Sequence, residues 1–244
     1  MKLFLLQVGR VRPPGQTEGA LLPVPAYLIE TDTGAHILID TGLDRRLIGA
    51  EQRQPPRPHL LDRDEDLLAH LARLNLAAQD IRVVICSHFD PDHAGNLALF
   101  HQATIVVQRR MYTAAIRGEV PRFERTRDQW DAPGLRFLLV DGDSTLVPGV
   151  TLLESGGHTP GHQSVLVALS GTGPVLLAID ALPSQAHREP ATRAIEPFDL
   201  DERQVRASTS KLRAIEQREG VALTVYGHDP HQWQALRHLP DFYA

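Results

Sequence analysis

The sequence predicts a single α/β domain. Short apolar runs with strand character fall in two groups, one early and one late in the chain, with helical patterns interspersed. At 244 residues the chain can bury a full core. Several of the runs end in His or Asp, so polar side chains collect at a sheet edge.

Taken in order, residues 3–11 alternate loosely and read as a strand. Residues 12–25 are rich in Pro and Gly and read as a loop or hairpin end. Two apolar runs, 26–31 and 35–40, flank Asp32-Thr33-Gly34, a hairpin signal. Residues 43–61 contain Pro55, Pro56 and Pro58 and read as a long exposed loop, a length that tends to be functional. Residues 64–76 carry Leu67, Leu68, Leu71 and Leu74, a helical stripe with Asp64 as N-cap. The run 81–86 reads as a buried strand. A short helix is expected at 96–100, a strand at 104–108 and a helix at 109–116, with irregular chain over 120–133. Further strands are expected at 135–140, 150–154, 164–169 and 175–179. Residues 181–198 read as a second long loop, and 199–218 as a polar helix capped by Asp199 or Asp201. A last strand, 223–226, precedes a closing helix at 232–239.

A net charge of −5 gives no support for nucleic-acid binding. The lone cysteine, Cys86, cannot form an intrachain disulfide, and its apolar neighbours suggest a buried thiol. Residues 1–8 are too short for a signal peptide, and no run is long enough to span a membrane. A cytoplasmic location is the expectation. Histidine is the unusual component, with 12 residues, several of them beside Asp or Gly.

The stretch Ser87-His88-Phe89-Asp90-Pro91-Asp92-His93-Ala94-Gly95 puts four candidate ligands, His88, Asp90, Asp92 and His93, directly after a predicted strand. His158, Asp180 and His228 follow other predicted strands. Imidazoles and carboxylates together suit zinc, iron, manganese or cobalt. Asp40, closing the second hairpin run, reads either as a cap for the next turn or as a hydrogen-bond partner of a ligand. His162 reads equally as such a partner or as a structural residue of its loop.

The segment at 88–93 resembles the His-x-His-x-Asp-His signature of the metallo-β-lactamase superfamily. Asp40-Thr41-Gly42, His158, Asp180 and Gly227-His228 follow in that superfamily's order. Within it, three stretches are most similar to N-acyl homoserine lactonases: Val24-Pro25-Ala26-Tyr27-Leu28-Ile29-Glu30, the run from His158 to Ser164, and the run from Gly227 to Trp233. The resemblance implies an αββα sandwich over residues 1–244 with two divalent metal ions at one edge, zinc first among them. His88, Asp90 and His158 would bind one ion and Asp92, His93 and His228 the other, with Asp180 bridging. Asp40 and His162 would orient ligands by hydrogen bonds. A hydroxide would attack a lactone or ester carbonyl, and Asp92 would shuttle the proton to the leaving alkoxide. The expected partners are a small lactone or ester and at most a second copy of the chain in a homodimer, with no nucleic acid and no membrane.

Two positions depart from that pattern. Asp90 stands where the signature has its second histidine; a carboxylate oxygen can reach the place of Nδ1, but it adds negative charge to the centre. Pro183 stands where the lactonases commonly have a tyrosine. Selectivity is expected in 43–61 and 181–198, through residues such as Leu47, Ile48, Arg188 and Arg193. The competing functions are an iron redox protein of the same fold and a thiolesterase like glyoxalase II.

Overall fold

Residues 1–13, 20–49 and 59–244 are described in a computed structural model. In the first strand, β1 (Lys2–Val11), Leu3 and Leu5 point to one side and Phe4 and Leu6 to the other, and all four are buried. Side chains alternate along a strand, so burial of both faces demands a layer on each side.

The chain supplies those layers in order. β2 (Leu22–Glu30) and β3 (His36–Ile39) are followed by a short β4 (His59–Leu60), helix α1 (Leu67–Arg73) and β5 (Ile81–Ile85). Then come β6 (Thr104–Gln108), α2 (Arg109–Ile116), α3 (Arg127–Trp130), β7 (Arg136–Val140), β8 (Ser144–Val147) and β9 (Val150–Glu154). β10 (Gln163–Leu169), β11 (Gly173–Ile179), α4 (Glu202–Arg218), β12 (Leu223–Tyr226) and α5 (Pro230–Ala235) complete it. One sheet has the order β4-β1-β2-β3-β5-β6-β7 and the other β12-β11-β10-β9-β8. Leu3, Leu5, Ile29, Ile39 and Val106 meet Leu152, Val165, Val167 and Leu177 between the sheets. The outer face of the first sheet packs on Leu67, Leu71, Met111 and Trp130; that of the second packs on Leu212 and Ile215 of α4. This is the expected αββα sandwich.

β3, β5, β6 and β7 run parallel, as do β11 and β12, so within each sheet these strands end on one edge. Two of those ends are strained. Asp40 after β3 has φ +60, and Ile179, the last residue of β11, has φ +52, a conformation that a β-branched side chain resists. Such strain persists only where the surroundings over-determine it.

Several elements differ from expectation. Helix α1 has Asp66, not Asp64, at its N-cap position and ends at Arg73, with Leu74 as C-cap and Asn75 following at φ +58. The closing helix starts earlier than expected, because Asp229 accepts from His231 N and Gln232 N and Pro230 takes the first helical position. The edge strand β8, which carries no run of buried residues, lay outside the expected strands. Residues 121–130 form helical turns that bury Phe123 and Trp130, with Trp130 stacked on Phe89 at 5.1 Å. Of the predicted early loops, residues 14–19 and 50–58 lie outside the described residues. No helix of the described residues is long and apolar enough to cross a membrane.

Gly157 (φ +125) lets the His158 loop touch the start of α4: a Cβ there would lie 2.3 Å from Val205 N. Backbone cannot yield to that contact, so Gly157→Ala is expected to lower the thermal midpoint by several degrees, roughly 2–4 °C per kcal/mol lost at this size. A thermal melt showing no shift would mean that the loop and helix are not locked together as described.

Candidate metal centre

Four histidines present Nε2 to one buried spot, and each is aimed by what holds its Nδ1. His93 Nδ1 lies 2.8 Å from Asp40 Oδ2. Ser87 Oγ donates to that same Asp40 oxygen at 2.7 Å, so at 2.9 Å it accepts from His88 Nδ1. His158 Nδ1 lies 3.1 Å from Asp199 Oδ1, and His228 Nδ1 lies 2.8 Å from the Pro23 carbonyl. A carboxylate or carbonyl accepts only, so in every case Nδ1 carries a proton and Nε2 is the nitrogen turned inward, open to an ion or to a second proton.

Asp180 stands between them. Its Oδ1 is 3.1 Å from His228 Nε2 and 3.4 Å from His93 Nε2; its Oδ2 is 3.3 Å from His158 Nε2 and 3.9 Å from His88 Nε2. The donor atoms thus form two groups, His88–His158–Asp180 and Asp92–His93–His228, each compact enough for one ion. The Nε2 atoms of His88, His93 and His228 and Asp180 Oδ1 are buried and make no hydrogen bond. Buried polar atoms are ordinarily paired, and atoms left so at one spot match the donor set of two divalent cations.

Asp90 enters this picture with a partner that sequence reasoning missed. Its Oδ2 lies 3.2 Å from both His88 Nε2 and His158 Nε2, at the mouth of the first group. Its Oδ1 accepts from Arg122 Nε at 2.6 Å, and Arg122 Nη2 donates to the His158 carbonyl at 3.2 Å. The charge that Asp90 adds is therefore offset within the site by a half-buried guanidinium. Burial pushes the Asp90 carboxyl up, but His88, His158 and Arg122 outweigh it and hold it well below the usual range.

Asp199 was also missed as a site residue. Asp201, not Asp199, caps α4, accepting from Gln204 N, which leaves Asp199 for His158. Asp40, readable from sequence either as a turn cap or as a ligand's partner, lies against His93 Nδ1 and Ser87 Oγ. His162 is fully buried, its Nδ1 on Ser155 Oγ at 2.9 Å and its ring 5.1 Å from that of His88. Cys86 is buried and its Sγ contacts the His88 carbonyl, so it is no ligand.

A cavity of about 610 Å³ opens onto His158, Asp180 and His228, walled by Pro13, Leu22, Pro183 and Phe198 among others. Part of the 181–198 segment lines it, through Pro183, Ser184 and Phe198 among others and not through the two arginines singled out in the sequence. Arg193 is buried, 3.5 Å from Asp199 Oδ2, and Arg188 pairs with Glu216. Leu47 and Ile48 are not in its wall, and neither is any tyrosine; Tyr27 is buried between the sheets.

The Metallo-beta-lactamase superfamily model matches residues 19–228. The chain belongs to that superfamily. An N-acyl homoserine lactonase of a Bacillus species is 32% identical over 236 residues, 93% of this chain and 90% of its own. N-acyl homoserine lactonase AttM of Azorhizobium caulinodans is 34% identical, with all of this chain and 98% of its own length covered. Among solved structures, an N-acyl homoserine lactone hydrolase carrying the product N-hexanoyl-L-homoserine at its catalytic metal centre superposes with a TM-score of 0.86. It shares 29% identity and covers 99% of this chain and 98% of its own.

The ion-free centre should hold protons. Burial pulls the His158 imidazole down, but Asp180, Asp199 and Asp90 outweigh it and push it up to about 9. For His93, burial is likewise outweighed by Asp180, Asp92 and Asp40. From an ordinary value near 6.5, a raised histidine stabilises the ion-free fold fully below about pH 6.5. That contribution is lost as pH climbs through about 9. An ion at Nε2 displaces the proton, so affinity for a divalent ion should rise across the same window. Calorimetric titration with cobalt in buffers of different ionisation enthalpy should show proton release at pH 7. Binding without proton release and with pH-independent affinity would contradict this.

Proposed function

We propose that this protein is a two-metal hydrolase that opens the ring of N-acyl homoserine lactones. The observation that supports the reading most directly is the pair of donor groups sharing Asp180 at the floor of a largely apolar cavity. Its volume falls in the range of small-molecule sites. The lactonase names and the bound product of full-length relatives point to the same substrate class.

In this reading His88, His158 and Asp90 would hold one ion, Asp92, His93 and His228 the other, and Asp180 would serve both. Imidazole and carboxylate donors suit zinc as well as iron, manganese or cobalt, and zinc is the ion proposed here. When bound, two such ions supply hydroxide near neutral pH and polarise the substrate carbonyl. The remaining work falls to the chain. The Asp92 carboxylate, whose Oδ2 lies 3.8 Å from His228 Nε2 and 3.9 Å from His93 Nε2, would take the proton of the attacking water and return it to the leaving alkoxide. Asp40, Asp199 and the Pro23 carbonyl keep His93, His158 and His228 turned inward. Phe198, Leu22 and Pro183 exclude water from the bound ring and take the acyl chain. Arg122 holds Asp90 by one oxygen, leaving the other for the ion.

Metal-loaded protein is expected to open N-hexanoyl homoserine lactone, read as acid release and an 18-dalton gain in mass, and to lose that activity on chelation. Chelator-resistant turnover, or loaded protein inert toward every lactone offered, would reject the assignment. Asp92→Asn should lower kcat by at least about a hundredfold with ion content measured alongside.

Asp90→His removes one negative charge from the centre, strengthening its Lewis acidity. The variant is expected to shift ion preference toward zinc and lower the acid-side pKa of the kcat/KM profile. An unchanged profile with unchanged ion content would show that Asp90 does not tune the centre.

A further inference from the structure

Ser184, His187 and Glu196 form a hydrogen-bonded chain on the wall of the cavity that holds His158, Asp180 and His228. His187 Nε2 lies 2.8 Å from Glu196 Oε1, and His187 Nδ1 lies 2.9 Å from Ser184 Oγ. The wall is tied to the metal centre. His228 N donates to the Pro183 carbonyl at 2.7 Å and Gly227 N to the Leu182 carbonyl at 3.1 Å. Gln185 N donates to Asp229 Oδ2, and Glu196 N donates to Asp199 Oδ2, on the carboxylate that holds His158.

The chain has a direction. A carboxylate only accepts, so His187 donates from Nε2 to Glu196. With a single ring proton, on Nε2, Nδ1 accepts and the Ser184 hydroxyl donates to it. With its proton committed, Ser184 Oγ meets a ligand only through lone pairs. Much of the rest of the wall is apolar, and Asp229 is already engaged with Gln185 N and the first turn of α5. A fixed acceptor in such a wall selects for a ligand N–H, since a ligand lacking one leaves it buried and unpaired.

We propose that Ser184 is a specificity-determining residue: its Oγ accepts a hydrogen bond from the N–H of an acylamino group beside the lactone carbonyl. The site thereby prefers acylamino lactones to plain alkyl lactones. This rests on the lactonase reading above and assigns the residue that reads the amide.

The test compares N-hexanoyl homoserine lactone with γ-decalactone, which has no N–H, as substrates of the metal-loaded enzyme. Loss of one net hydrogen bond corresponds to about three- to tenfold. Ser184→Ala should therefore lower kcat/KM on the acylamino lactone by that factor more than on γ-decalactone, mainly through KM. Ser184→Thr keeps the hydroxyl and should keep the preference. Glu196→Gln can donate to His187 Nε2 and reverse the chain, turning the Ser184 proton toward the cavity, and should erase the preference with Ser184 in place. Equal effects of Ser184→Ala on both lactones, or none on either, would overturn the role of Ser184 while leaving the lactonase reading intact. Wild-type enzyme that opens neither lactone would overturn the reading on which it rests.

Discussion

Asp180 divides its two carboxylate oxygens between two pairs of histidines, Oδ1 toward His93 and His228 and Oδ2 toward His88 and His158. Much of the rest of the molecule serves that placement. Asp180 follows β11, while His88 and His93 follow β5 in the other sheet, so the two sheets must pack with those ends on one edge. The buried residues between the sheets set that packing. The turn at Ile179, with φ +52, carries the chain out of β11 and onto the site. Gly227 permits the close approach, since a Cβ there would sit 2.6 Å from the Ile179 carbonyl.

A site this dense in acids and imidazoles is held by its surroundings. Burial alone would neutralise Asp180, yet His228, His93 and His158 keep its carboxyl well below the usual range. Asp40 serves both groups at once, binding His93 directly and His88 through Ser87 Oγ. Arg122 balances Asp90, and the helical turn that carries it is anchored by Thr126 Oγ1 donating to the Phe89 carbonyl at 2.7 Å. The atypical carboxylate is thus accompanied by a cation, which moderates the charge penalty that the sequence alone suggested.

The strands and the candidate ligands were legible because both leave local marks. Strands buried on both faces read as unbroken apolar runs, as from Ala26 to Ile29, and His and Asp soon after a strand, as after β5, stand out. Arg122 and Asp199 left no such mark. Each pairs with a residue 32 or 41 positions away, and nothing in the chain separates Arg122 from the other arginines or Asp199 from an ordinary helix cap. The Pro23 carbonyl that orients His228 is a backbone group 205 positions distant, invisible to any reading by residue type. The Ser184–His187–Glu196 chain was hidden for a related reason: its segment looked like an irregular loop, and its meaning depends on which wall it lines.

Anomalous diffraction from crystals of the zinc-loaded protein tests the shared carboxylate most directly. Two peaks are expected, one beside His88, His158 and Asp180 Oδ2 and one beside Asp92, His93, His228 and Asp180 Oδ1. A single peak, or zinc held by residues other than these, would contradict the arrangement described.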